Sequence, residues 1–266
     1  MDFEFILRLE ETRRRYIKAN KPHKLKPWKD LWKAHEGKSF FVIASGPSCN
    51  LIDIPAEVKK ADVVIGVNWI YNKFPDIKYD YLVACEIAPL FGIPKVGGMP
   101  SIKTIGLANS DGGRKEREWL RAYAAAPHFG RKEWVAPEKG KPLGSSMNSG
   151  FAALNVAAYM GAKKITVIGM DFTDIDGHNF HCYDDTALHR GYKEGGMQMH
   201  DAYKRSAQVD ALKRVDKHLQ ELLGWTDKNG IIVENLSVIT LLNFKKENSD
   251  AEYEVATEVA YINPQV

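Results

Sequence analysis

Five consecutive apolar residues, Phe40-Phe41-Val42-Ile43-Ala44, run straight into Ser45-Gly46-Pro47-Ser48. A half-exposed strand alternates apolar and polar side chains, so an unbroken run predicts a strand covered on both faces, as in parallel sheets. The Ser-Gly-Pro-Ser stretch then turns the backbone sharply and is expected to leave its N–H groups free, as a phosphate-binding first loop needs. An ordinary strand-to-helix turn fits the same residues.

The pattern recurs along the chain. ADVVIGVNWIY (61–71) reads as a second strand ending near Asn68, YDYLVACEI (79–87) as a third and SIKTIGLAN (101–109) as a fourth. Residues 110–145 are rich in Gly, Pro and charge, and their only helical pattern is at 115–126; they read as a lid-like excursion. Asn148 or Ser149 then caps an Ala-rich helix that Gly161 stops, and the apolar run KITVIGM leads to Asp171. A helix over 200–223 carries one apolar face, and GIIVENLS (230–237) is a last strand. A short helix is expected near 55–60 and another over Trp28–His35. Strands alternating with helices predict the α/β class: a Rossmann-like, mostly parallel sheet with helices on both faces.

The 266 residues suit one large domain. The expected organisation is a basic helical arm (1–38), a nucleotide-binding domain (39–245, with excursions at 110–145 and 174–200) and a tail (246–266). Net charge is +3, yet residues 1–38 hold 11 Lys/Arg against 6 Asp/Glu. Such an arm suits nucleic acid, a membrane surface or a phosphorylated partner, and Tyr16, Trp28 and Trp32 could stack on bases; a solvated helix and linker fits equally. Cys49, Cys85 and Cys182 are odd in number and far apart, which points to a reducing, cytoplasmic compartment and away from a structural zinc site. No apolar stretch approaches a membrane span, and homo-oligomerisation is left open.

In an open α/β sheet, ligands bind beyond the carboxyl ends of the strands. There the sequence puts Ser45, Gly46, Pro47 and Ser48, then Asn68 and Glu86, then Asn148, Ser149 and Gly150, then Asp171 and Thr173. Hydroxyls, amides and backbone donors dominate, which suits the phosphates and ribose of a nucleotide more than a cluster of hard cations. Taken singly, each residue also reads as a turn, a cap or a polar core group. Four histidines, His178, His181, His189 and His200, follow the strand that carries Asp171; His200 and His178 are the candidates for a general base. His178 and His181 with Asp171 and Asp174 match no zinc spacing, so no resident metal is expected. GxGxxG, GxxxxGK[ST], GxSxG and HExxH are absent.

VIASGPSCNLID, GVNWIYNKF and NSGFAALNVAAYMGAKKITVIGMDF, taken together, resemble bacterial sialyltransferases of the lipooligosaccharide type. They are equally similar to the Rossmann-like domains of motility accessory factors and of archaeal hydroxymethylpterin pyrophosphokinases. The resemblance covers about 40–244. It implies that Ser45, Gly46, Pro47 and Ser48 line the donor phosphate and that Asn68 meets phosphate or ribose. Asn148, Ser149 and Gly150 would meet the nucleotide or the sugar, and His200 would be the base. Three positions depart: Ser45 stands where the sialyltransferases carry an asparagine, Ser146 where they carry an arginine, and Thr173 where they carry a tyrosine, for which Tyr183 or Tyr192 could substitute.

The function so implied is a transferase, a glycosyltransferase moving a sugar from a nucleotide-activated donor to a glycan or other hydroxyl acceptor. Three alternatives stand beside it. One is an ATP-dependent pyrophosphokinase in which Asp171 and Glu86 hold magnesium; another is a glycosyltransferase acting on modified nucleic acid. The last is a non-catalytic binder of nucleic acid or glycan.

Overall fold

The computed structural model describes residues 26–85, 95–96, 99–100, 102–109, 124–128, 133–146, 148–172, 182 and 201–244. Seven strands among them make one sheet: β1 Ser39–Ile43, β2 Val63–Val67, β3 Tyr81–Ala84, β4 Lys103–Asn109, β5 Ala124–His128, β6 Lys164–Ile168 and β7 Ile232–Asn235. Their order is β5-β4-β3-β2-β1-β6-β7, and every ladder is parallel. The α/β, Rossmann-like class expected from the apolar runs is the observed one. Lys95–Val96 and Met99–Pro100 pair separately as a small antiparallel ladder.

The helices are α1 Ile54–Val58, α2 Ile70–Lys73, α3 Ser149–Tyr159 and α4 Asp201–Lys228. The unbroken apolar run of β1 has its explanation here. Phe40 and Val42 pack into a core shared with α3 and α4, while Phe41 and Ile43 pack on the other face with Ile54, Ile70 and Tyr71. Both pleats are therefore dry, and alternation has no reason to appear. Helix α3 lies against β1, β2, β3 and β6, and every residue from Gly150 to Tyr159 is buried. A helix apolar all round belongs inside a core. Its one amide, Asn155, is fully satisfied: it accepts from Trp134 Nε1 at 3.1 Å and donates to Gly144 O at 3.1 Å and Phe151 O at 3.2 Å.

Two expectations are corrected. The pattern at 115–126 does not end in a helix: Ala124–His128 is β5, in register with Ile105–Asn109. Alanine favours helix by only a fraction of a kcal/mol, and a ladder beside β4 overrides it. The excursion at 110–145 therefore returns a strand to the sheet. Nor does the N-terminal arm reach residue 38. Trp28 and Leu31 form a 3-10 turn with both side chains in the core, and Trp28 stacks on Tyr159 with ring centroids 4.1 Å apart. Lys33, His35 and Gly37 donate backbone bonds to Tyr159, Met160 and Gly161. The large apolar rings are worth more against α3 than in solvent. Residues 1–25 and 245–266, and so the rest of the arm and the tail, lie outside the described residues. Among the described residues no helix is long and apolar enough to cross a membrane.

Candidate functional site

The chain leaves β1 toward β2 on one side, while β6 lies on the other. At such a reversal, the space outside the carboxyl edge is the crevice in which open α/β sheets bind ligands. Two residues past the paired Ile43, Gly66 and Ile168 come Ser45, Asn68 and Met170. The loops after β1, β2 and β6 therefore stand side by side.

The first and third are locked together. Ala44 N donates to Ile168 O at 2.8 Å and Gly46 N to Gly169 O at 2.7 Å; Ser48 N donates to Asp171 Oδ2 at 2.6 Å. A β-carbon on Gly46 would lie 2.5 Å from that carboxylate oxygen, so the residue is glycine because of a close approach. Cys49 N is also taken, by Gly46 O at 3.2 Å. The expectation of free amides in the first loop is thus not met at Gly46, Ser48 or Cys49, and Pro47 has none to offer. Ser48 and Asp171 are 0% and 1% exposed. Asp171 works as an internal anion holding the turn, not as a carboxylate open to substrate.

Burial raises the Asp171 carboxyl above the usual range, opposed by the Ser48 amide and by the Ser48 and Ser237 hydroxyls nearby. Neither hydroxyl reaches good bonding geometry, since Asp171 Oδ1 and Ser48 Oγ have no partner among the described residues. A carboxyl whose folded pKa exceeds its unfolded one takes stability away as pH rises from about 3.9 through the folded value, and the loss is complete above it. Asp171→Asn keeps an oxygen for the Ser48 amide and removes the buried charge. It is expected to gain stability relative to the parent between about pH 4 and pH 7. Denaturant unfolding at both pH values checks this; a difference that does not change with pH would contradict it.

The helix side of the crevice is α3. Asn148 caps it, its Oδ1 accepting from Phe151 N at 2.8 Å, and Ser149 Oγ accepts from Cys85 N at 3.2 Å. Both side chains are therefore partly committed to structure. The amides of Ser149 and Gly150, in the first turn, have no intrahelical acceptor and carry the positive end of the helix dipole. A β-carbon on Gly150 would lie 3.2 Å from Ala44 Cβ and 3.0 Å from Met170 Cγ, which shows how tightly this helix start sits on the ends of β1 and β6. The start of α3 thus meets Ala44, the residue that leads from β1 into the first loop.

Three non-glycine residues at this rim have positive φ: Asn68 at 51°, Ser146 at 47° and Phe172 at 58°. Asn68 Oδ1 is buried without a partner among the described residues. Left-handed backbone is uncommon outside glycine and is retained where its surroundings force it, often at sites. Ser146 is held by two residues that the sequence reading missed. Arg214 Nε donates to Ser146 O at 3.2 Å, and His218 Nδ1 bonds Ser146 Oγ at 3.0 Å. They sit four apart on α4, hence on one helix face. That spacing was readable in the sequence, but nothing local said which face would meet the α3 start. Arg214 is half-buried and has no carboxylate partner among the described residues.

Glu86, Thr173, His178, Tyr183 and His200 lie outside the described residues, as do His181, His189 and Tyr192. Among the described residues no group of acids, histidines and cysteines could hold a metal ion. Two cavities of about 360 and 380 Å³ lie elsewhere, one between the end of α4 and β7, the other over Phe41, Thr166 and Leu236. Neither gathers the unpartnered polar groups of the crevice. Compared with protein-family models, curated proteins and solved structures, the chain matches none.

Proposed function

We propose that this chain is a transferase that takes a nucleotide-activated donor, a sugar nucleotide, and passes the activated group to a hydroxyl. The observation that carries the reading is Arg214, a half-buried cation with no carboxylate partner among the described residues, pinned through Ser146 beside the start of α3. An arginine and a helix start together favour a phosphate. The Ser149 and Gly150 amides and Arg214 would hold the donor phosphates and stabilise the charge that develops as phosphate departs. Asn68 Oδ1, an acceptor with no donor among the described residues, would take a ribose hydroxyl. His200 or His178 would receive the proton of the attacking hydroxyl, worth about 10²–10⁴ in rate.

The pyrophosphokinase reading asks Asp171 to hold magnesium. Its carboxylate is buried and already accepts the Ser48 amide, which favours the sugar-nucleotide reading. The base-stacking role of Trp28 and Trp32 weakens for a similar reason, because both rings pack on Tyr159.

Thermal shift with CDP, UDP and GDP sugars against ATP, each with and without magnesium, separates the readings. Stabilisation by one sugar nucleotide without magnesium is expected; stabilisation by ATP only with magnesium would overturn it. Arg214→Ala should weaken that binding about tenfold or more, roughly 1.4 kcal/mol, while the ligand-free melting temperature moves little.

A further inference from the structure

The sequence separates the cysteines, but the fold brings two of them together. Cys49 lies in the 3-10 turn Pro47–Asn50 after β1, Cys182 follows β6 in the chain, and each is 1% exposed. The backbone of Cys182 is held on both sides of Cys49: its N–H donates to Ser45 O at 2.7 Å, and its carbonyl accepts from Asn50 Nδ2 at 3.4 Å. Both side chains share one apolar cluster with Ile43, Ile54, Tyr79 and Ile168. Cys49 Sγ itself donates to Ala44 O at 3.3 Å.

We propose that Cys49 and Cys182 form a modification site, a dithiol that a low-molecular-weight disulfide converts to an intrachain disulfide joining the loop after β1 to the segment after β6. One thiolate attacks a sulfur of glutathione disulfide and expels a glutathione thiolate. The second attacks the mixed disulfide so formed and expels another glutathione. The protein loses two electrons and two protons, and one disulfide becomes two thiols. A disulfide needs its two β-carbons close together, and the hydrogen bonds that join Cys182 to Ser45 and Asn50 keep the two cysteines neighbours. The neighbouring Cys182 thiol and burial hold the Cys49 thiol well above its ordinary pKa, so little thiolate forms while the pair stays buried. Reaction therefore passes through transient local opening and is slow beside that of an exposed thiol. Once formed, the bond stabilises the fold by restricting the unfolded chain.

The test is to incubate the full chain with oxidised glutathione and map its peptides without reductant. The expected product is a cross-linked pair holding Cys49 and Cys182, lighter by two hydrogens, with a melting temperature that rises on oxidation and returns with dithiothreitol. Cys85→Ser should give the same pair, and Cys182→Ser none. Free Cys49 and Cys182 on alkylation after denaturation would overturn the proposal. So would a bond from either of them to Cys85, or a stable glutathione adduct without the cross-link. Mapping the parent chain decides the matter even if a variant fails to fold.

Discussion

Gly46→Ala should destabilise the fold by about 3 kcal/mol, the upper part of the range for forcing volume into a closed site. Gly46 has φ −71°, which any residue adopts, so conformation is not the obstacle. In open space the change would stabilise by about 0.4–1 kcal/mol through the unfolded chain. Here the new carbon would lie 2.5 Å from Asp171 Oδ2 and 2.6 Å from Gly169 O. Neither oxygen can retreat cheaply, because Gly46 N and Ser48 N are bonded to those same groups at 2.7 Å and 2.6 Å. Separating the loops would orphan buried donors, each worth about 1–3 kcal/mol. Chemical denaturation reads the loss directly, and thermal melting should show a drop of roughly 6–12 °C. The sign decides: unchanged or increased stability would mean that the two loops part easily, and the crevice would lose its rigid floor.

Tyr159→Ala should cost about 4 kcal/mol, as for other fully buried aromatic residues. Tyr159 is 0% exposed and joins three stretches of chain at the end of α3. Its ring stacks on Trp28 and meets Trp32 edge-on at 5.1 Å. Its hydroxyl accepts from Gly140 N at 3.0 Å and donates to Trp28 O at 3.3 Å. Removing the ring leaves a cavity, and it also frees the 28–37 segment whose backbone bonds to Tyr159, Met160 and Gly161 depend on that packing. Tyr159→Phe isolates the hydroxyl and should cost only about 1 kcal/mol. Denaturant midpoints, with tryptophan fluorescence reporting on Trp28 and Trp32, check both. Equal losses for the two variants would show that the hydrogen bonds, rather than the packed ring, hold the N-terminal segment.

These two residues also mark how far reading the sequence reaches. The strands at 40–44, 61–71, 79–87, 101–109, 164–170 and 230–237 were legible from short apolar stretches bounded by polar and turn-forming residues. Each appears in the sheet, trimmed by a few residues. The start of α3 was legible because Asn148 announces a cap by its chemistry. Ala124–His128 was not, since an alanine run says helix locally and only the neighbouring strand says otherwise. Trp28 among lysines looked like a surface for bases until a buried tyrosine claimed it.

The site divides in the same way. That polar segments end the strands follows from turn chemistry and capping, which act over a few residues and leave local marks. The amides of the first loop looked free because their acceptors, Gly169 and Asp171, sit more than a hundred residues away in the chain. Arg214 beside Ser146 and Cys182 beside Cys49 are likewise products of distant contact. Short-range free energies write periodicity and caps into the sequence. Which loops share a crevice is decided by β6 pairing with β1, a contact whose energy is spread over backbone bonds and apolar area and belongs to no local motif.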